Sequence, residues 1–296
     1  MSAEDVFGFL NLNKPVGPTS HDVVARVRRL THVRKVGHAG TLDPLASGVL
    51  VICLGPATRL SDYAMHTTKQ YRATVRLGAV TDTYDAEGQV VAEYSVPALD
   101  RAAIEAALAR FQGEIEQVPP MYSAIKQGGK KLYELARAGQ EVARPPRKVT
   151  IEHIELVTLD LPELVLDVTC SSGTYIRSLA HDLGAALGTG AYLAGLVRTA
   201  SGPFHIQDAV TLEDFEDAVQ AGNWRQLVLP PDIALQALPA VHLTPEQAAG
   251  VLHGQGFPAP ATASSEARAY DDRGQFVAIL RAEKGAWRCV KVFPPA

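Results

Sequence analysis

What the chain has little of narrows its chemistry first. It holds three cysteines, Cys53, Cys170 and Cys289, far apart and outside any Cys-x-x-Cys pair, which argues against a disulfide framework and against a zinc site. Each falls in a stretch expected to form a strand, where a reduced thiol acts as a small apolar residue. No apolar run reaches the roughly 18 residues that a membrane-spanning helix needs, and Glu4 and Asp5 stand where a secretory leader would be basic. A cytoplasmic protein with no membrane attachment is the expectation. Positive charge is short as well: 28 Lys and Arg against 32 Asp and Glu give a net charge of −4, which argues against indiscriminate nucleic-acid binding. Cofactor signatures are missing. No Gly-x-Gly-x-x-Gly opens a helix after a strand, no glycine loop ends in Gly-Lys-Ser/Thr, and there is no His-Glu-x-x-His. His32 and His38 lack a matching carboxylate helix and make a poor metal pair. With no cofactor and no metal expected, the chemistry has to come from side chains.

What is present is enough for a substantial core: 296 residues, 47% hydrophobic and 20% charged, suggest one large domain or two. Phe7–Leu12 reads as a short strand, and Thr19 or Ser20 as the cap of a helix with Val23, Val24, Val27 and Leu30 on its apolar face. Tyr71, Ala73, Val75 and Leu77 alternate with Arg72, Thr74 and Arg76, the pattern of a half-buried strand. Asp85-Ala86-Glu87-Gly88 is hairpin-like, Leu99–Phe111 is an expected helix, and strands return at Val149–Leu159 and Leu164–Cys170 before a helix from about Thr174 to Leu187. The composition shifts near residue 235, at Leu229-Pro230-Pro231-Asp232 and Leu238-Pro239, and beyond it come short strand-like runs. These patterns predict an α+β domain over 1–235 and a small β-rich module over 236–296.

Two segments break the acidic average. Arg26, Arg28, Arg29, Arg34 and Lys35 cluster in and after the first helix, and seven Lys and Arg lie from Lys126 to Lys148. The second cluster falls in a glycine- and proline-rich stretch with one short helical pattern near 131–138, so residues 120–148 are expected to form a basic flap over a polyanion.

Between the clusters stands Gly37-His38-Ala39-Gly40-Thr41-Leu42-Asp43-Pro44-Leu45-Ala46-Ser47-Gly48. Three glycines give this loop backbone freedom, and Pro44 biases Asp43 away from the α region, so one carboxylate is presented on a defined bend. The apolar run from Gly48 to Gly55 follows directly and reads as a buried strand. A nucleophilic carboxylate works best beside a cation in a partly dry pocket, and Arg177, at a strand-to-helix turn, is a candidate. Local sequence alone favours a surface helix arginine.

The motifs Asn13-Lys14-Pro15-x-Gly17-x-x-Ser20, Gly37-His38-x-Gly40-Thr41-Leu42-Asp43-Pro44-x-Ala46-x-Gly48 and Gly173-Thr174-Tyr175-Ile176-Arg177 resemble, in order, those of the bacterial tRNA pseudouridine 55 synthases of the TruB type. The module over 236–296 is similar to their PUA-type RNA-binding domain. The resemblance implies a pseudouridine synthase fold, with a mixed, largely antiparallel sheet flanked by helices, and isomerisation of one uridine in the T stem-loop of tRNA without cofactor or metal. It implies Asp43 as the nucleophile, acting at C1′ or through a glycal, with attack at C6 the older alternative. It also implies Tyr71 stacked on the flipped base and assisting proton removal at C5, and Arg177 paired with the catalytic carboxylate. His38, Tyr175 and Leu196 correspond to pocket residues, and Lys14, with Pro15, to a motif that mainly supports the catalytic loop while bordering the substrate site. Val197 departs from the pattern, standing where a second arginine is common. A monomer needing no protein partner is expected. Two other readings compete: a non-catalytic RNA-binding or tRNA-folding protein, and a pseudouridine synthase acting on ribosomal RNA.

Overall fold

The structure is a computed structural model that describes residues 6–294 apart from 124, 125, 128, 133–139 and 141. The helix expected near 131–138 lies largely outside the described residues.

Strand β1 (Gly8–Lys14) leads through a turn to helix α1 (Ser20–Thr31), whose N-terminus is closed by a capping box between Thr19 and Asp22. That arrangement satisfies backbone donors the helix cannot satisfy itself. A short strand β2 (Val36–His38), absent from the sequence reading, precedes β3 (Ala46–Leu54). β3 is apolar throughout because both its faces are covered. Leu50, Ile52 and Leu54 pack with α1 residues Val23, Val24 and Val27, while Val49, Val51 and Cys53 pack on the opposite side with Phe9, Ala57 and Phe204. Period-two alternation thus runs between two cores rather than between core and water.

Next come β4 (Lys69–Leu77), helix α2 (Arg101–Leu108), β5 (Gly113–Gln117), β6 (Arg147–Asp160), β7 (Glu163–Cys170), helix α3 (Ile176–Leu187), β8 (Ala191–Ser201), β9 (Val210–Thr211) and helix α4 (Leu212–Gln220). A hairpin of Ala79–Thr81 with Val90–Glu93 projects after β4. The large sheet runs β9-β1-β3-β8-β4-β7-β6-β5. β9/β1 and β3/β8 are parallel and the other neighbours along this path antiparallel. The expected mixed, largely antiparallel sheet is therefore the fold. Helices α2 and α3 cover one part of it through Ile104, Leu108, Ile176, Leu179 and Leu183, which pack on Val75, Leu166 and Val168.

Register across the central strands sets the site. Arg198 of β8 pairs with Gly48 of β3 on one side and Tyr71 of β4 on the other, and Leu196 pairs with Ala46 and Ala73. One row of the sheet therefore aligns the end of the Asp43 loop with Arg198 and Tyr71.

A separate five-stranded sheet starts at Ala240–His242 and ends with Ala286–Val292. It has its own core around Val251, Ala267 and Leu280, yet Ile279 and Phe293 join Phe9 and Leu235 in a shared cluster. Phe7 stacks on Phe293 with ring centroids 5.1 Å apart, and Tyr63 donates to Glu266 at 3.0 Å. Apolar and polar contacts together join this module to the larger sheet.

Candidate active site

The loop bearing Asp43 has no regular structure between β2 and β3, so its backbone groups need partners from elsewhere. Each carbonyl from Gly40 to Pro44 has one. Arg198 donates to Gly40 O at 3.0 Å and to Thr41 O at 3.3 Å; Ser20 Oγ donates to Leu42 O at 2.9 Å; Ala46 N donates to Asp43 O at 3.0 Å; Gly17 N donates to Pro44 O at 2.9 Å. The same Ser20 hydroxyl accepts from Leu42 N at 2.8 Å. The loop is held from three directions: by the start of α1, by the turn before it, and by β8.

Arg198 is 1% exposed, and its Nε also donates to Val49 O at 2.7 Å. Gly48 is required for this approach: its φ is +98°, and a Cβ there would lie 2.3 Å from Arg198 O, inside any tolerable contact.

Asp43 meets Arg177. The Nη2 of Arg177 lies 3.0 Å from Asp43 Oδ2, and its Nη1 lies 3.3 Å from Asp85 Oδ2. Exposure decides the roles: the Arg177 side chain is 7% exposed and that of Asp85 3%, whereas Asp43 is 40% exposed. A buried guanidinium held by a buried carboxylate thus presents one edge to a carboxylate that solvent and substrate can reach. Asp85 is itself fixed, accepting from Thr83 Oγ1 at 2.6 Å and Glu87 N at 3.1 Å. Arg177 is therefore no surface arginine.

Around this pair stand the other residues singled out from the sequence. Tyr71 and Leu196 are half-buried and pack against both central cores. Burial raises the Tyr71 hydroxyl above the ordinary tyrosine pKa, and nearby Arg198 offsets part of that rise. The phenol is therefore protonated at neutral pH. Tyr175, immediately before α3, has its pKa raised mainly by burial. Lys14 is fully buried, and its Nζ donates to Pro15 O at 2.9 Å and Pro18 O at 2.8 Å, so it braces the turn before α1. Burial lowers its pKa, with Asp43 and Glu87 pulling the other way.

His38 packs edge-on against His21, ring centroids 5.3 Å apart, and its buried Nδ1 has no partner among the described residues. Burial first, then His21 and Arg198, lower its pKa from 6.5 to about 4. A histidine whose folded pKa is depressed stabilises the fold fully above about pH 6.5 and loses that contribution as pH falls toward 4. Urea unfolding from pH 7 to pH 4.5 is expected to show a steeper stability loss in the wild type than in His38→Gln; parallel pH dependences would contradict this.

Two residues that hold the site escaped the sequence reading. Asp85 looked like a turn residue and Arg198 like one more residue of a strand. Val197, adjacent to Arg198, pairs with Ser47 and Arg72. The first basic cluster is partly consumed internally, since Arg26 forms a forked ion pair with Glu216 and Arg28 donates to Val36 O at 3.0 Å. In the second, Lys148 pairs with Glu114 at 2.8 Å. Among the described residues no group of three or more His, Cys, Asp or Glu is placed to hold a metal ion.

Comparison with known proteins identifies the family. Residues 28–176 match the TruB family pseudouridylate synthase N-terminal domain, and residues 177–236 the tRNA pseudouridylate synthase B C-terminal domain. The chain belongs to the TruB family of pseudouridine synthases. TruB relatives include tRNA pseudouridine synthase B of Cupriavidus metallidurans, 48% identical over 295 residues, covering 96% of this chain and 93% of that one. The enzyme of the same name from Symbiobacterium thermophilum is 52% identical over 256 residues, covering 86% and 84%. Among solved structures, a Cbf5–Nop10–Gar1 complex contains a chain 30% identical, with a TM-score of 0.76, covering 98% of this chain and 85% of that one. An H/ACA ribonucleoprotein bound to a substrate RNA gives 28% identity and a TM-score of 0.76, covering 98% and 86%. In the TruB framework, the Asp43 loop, Asp85 and Tyr175 fall in the first matched region and Arg177 opens the second.

Proposed function

We propose that this chain converts uridine 55 in the T loop of tRNA to pseudouridine, with Asp43 as the nucleophile. The observation that carries the reading is the accessible Asp43 carboxylate, 3.0 Å from buried Arg177, on a loop whose carbonyls from Gly40 to Pro44 are all engaged. A carboxylate so held loses little freedom when substrate arrives, which is where much of the advantage of an oriented nucleophile arises.

The target base has to leave its stack, at about a few kcal/mol, before Asp43 can reach its sugar. Half-buried Tyr71 and Leu196, with His38 and Tyr175 near the loop, supply apolar and aromatic surface for the displaced uracil. The N1–C1′ bond breaks, a C5–C1′ bond forms, and the proton leaving C5 is matched by one gained at N1, so product and substrate are isomers. Arg177, 3.0 Å away, keeps Asp43 aimed during that exchange. Tyr71, whose hydroxyl burial keeps neutral at rest, is assigned stacking on the displaced base and assistance to proton removal at C5. Lys14 acts from beneath by bracing the turn that Gly17 and Ser20 use to hold the loop.

In this reading the working unit is a cytoplasmic monomer without an obligate protein partner, which activity of the purified protein alone would support. The test is to incubate purified protein with tRNA and ribosomal RNA transcripts and map pseudouridine by mass spectrometry. Modification at the T-loop uridine is expected. Modification only at a ribosomal site, or none with intact tRNA binding, would replace this reading with one of its two competitors.

A further inference from the structure

Gln117 is the last residue of β5, one residue before the chain leaves the sheet for the flap. It is 2% exposed, and its side-chain amide makes two bonds to a single residue: Oε1 accepts from Tyr175 N at 2.7 Å, and Nε2 donates to Tyr175 O at 2.9 Å. The chemistry fixes the orientation, since a backbone N–H only donates and a carbonyl only accepts. The amide serves Tyr175 as an adjacent strand would.

That support falls where α3 needs it. Tyr175 is the capping residue of α3, and no side chain caps the helix through it, so the start of the helix depends on outside partners. Two neighbouring residues extend the link. Ser178 Oγ donates to Val118 O at 2.9 Å, and Arg177 Nη2 donates to Tyr122 O at 2.9 Å. This Nη2 is the same nitrogen that lies 3.0 Å from Asp43 Oδ2. One of its faces is committed to the root of the flap and another to the nucleophile, so a shift of the α3 start relative to that root would move Arg177 against Asp43.

We propose that Gln117 is a positioning residue for the isomerisation. Through Tyr175 it ties the first turn of α3 to the flap root, and this keeps Arg177 shared between Tyr122 O and Asp43. The proposal rests on the reading of Asp43 and Arg177 given above.

The test is Gln117→Glu, which keeps shape and acceptor. When ionised, the new carboxylate cannot donate to Tyr175 O; when protonated, it can do both. Charged and titratable groups around it are Glu116 and Glu114 on β5, Arg147 and Lys148 on β6 (with Arg147 directly opposite in register), and Tyr175 and Arg177 on α3. Tyr122 and Arg144 belong to the flap root, where Arg144 donates to Pro119 O. An ionised carboxylate would also compete with Asp43 for Arg177, which acts in the same direction as the lost donor.

Single-turnover pseudouridine formation at saturating tRNA is expected to fall roughly tenfold or more at pH 8.5, as for a displaced catalytic group. The ratio of variant to wild-type rate is expected to rise as pH is lowered to 5, with tRNA affinity nearly unchanged. Gln117→Met is expected to be slow at every pH. Recovery of Gln117→Glu at low pH shows in the same sample that the variant is folded. A variant-to-wild-type ratio independent of pH, or Gln117→Met as fast as wild type, overturns the proposal. Full turnover by Asp43→Asn would instead overturn the underlying site reading, so the two failures are distinguishable.

Discussion

Arg198→Met is expected to lower the unfolding free energy by roughly 1–3 kcal/mol and to slow pseudouridine formation by about 100-fold or more. Methionine fills similar length without donors. The carbonyls of Val49, Gly40 and Thr41, which Arg198 now serves, would be left short of partners. An abandoned buried acceptor costs about 1–3 kcal/mol, and that cost falls on Val49 O, whose bond to Arg198 is buried, while the partly buried Gly40 and Thr41 carbonyls can turn to water. Because two of these carbonyls belong to the Asp43 loop, the loss of stability and the loss of rate come from one cause. Urea unfolding and a single-turnover rate on tRNA would check both. A stable variant with wild-type rate would mean that Ser20, Gly17 and the turn at Ala46 hold the loop without Arg198.

The position of Arg198 also shows why parts of the site could not be read from the sequence. Asp43 was legible because Pro44 and three nearby glycines mark a bend, and because the run after it is apolar at every position. That run signals a strand covered on both faces, which β3 is. The alternation from Tyr71 to Leu77 marked β4 in the same way. Arg177 meets Asp43, and Asp85 meets Arg177, only through tertiary structure, and locally they are a helix-start arginine and a turn aspartate. Arg198 acts through a parallel β3/β8 pairing that joins segments far apart in the chain, and no local period encodes which strands become neighbours. Gln117 was hidden differently: its strand β5 was not read from the sequence, and its partner Tyr175 lies 58 residues further along the chain. The ordered motif resemblance compensated for much of this, since it carried Tyr71, Tyr175 and Arg177 together with Asp43.

Asp43→Asn removes the nucleophile with the least disturbance to its surroundings. The side chain is 40% exposed, so it carries little of the fold's packing, and the bonds that hold the loop come from backbone carbonyls and the Ser20 hydroxyl rather than from the carboxylate. An amide of the same shape keeps the loop and the approach to Arg177. It cannot act as the nucleophile. Loss of a nucleophile of this kind lowers turnover by on the order of 10⁴-fold or more. Binding of tRNA, which depends on phosphate contacts and on base displacement across a wide surface, is expected to change little.

The most direct measurement is therefore pseudouridine at the T-loop uridine after incubation of tRNA with wild type or Asp43→Asn, quantified alongside the Kd of each protein for the same tRNA. The expected result is complete conversion by the wild type and none by the variant at matching Kd. Conversion by Asp43→Asn at a rate near that of the wild type would contradict Asp43 as the nucleophile and, with it, the role assigned to Arg177.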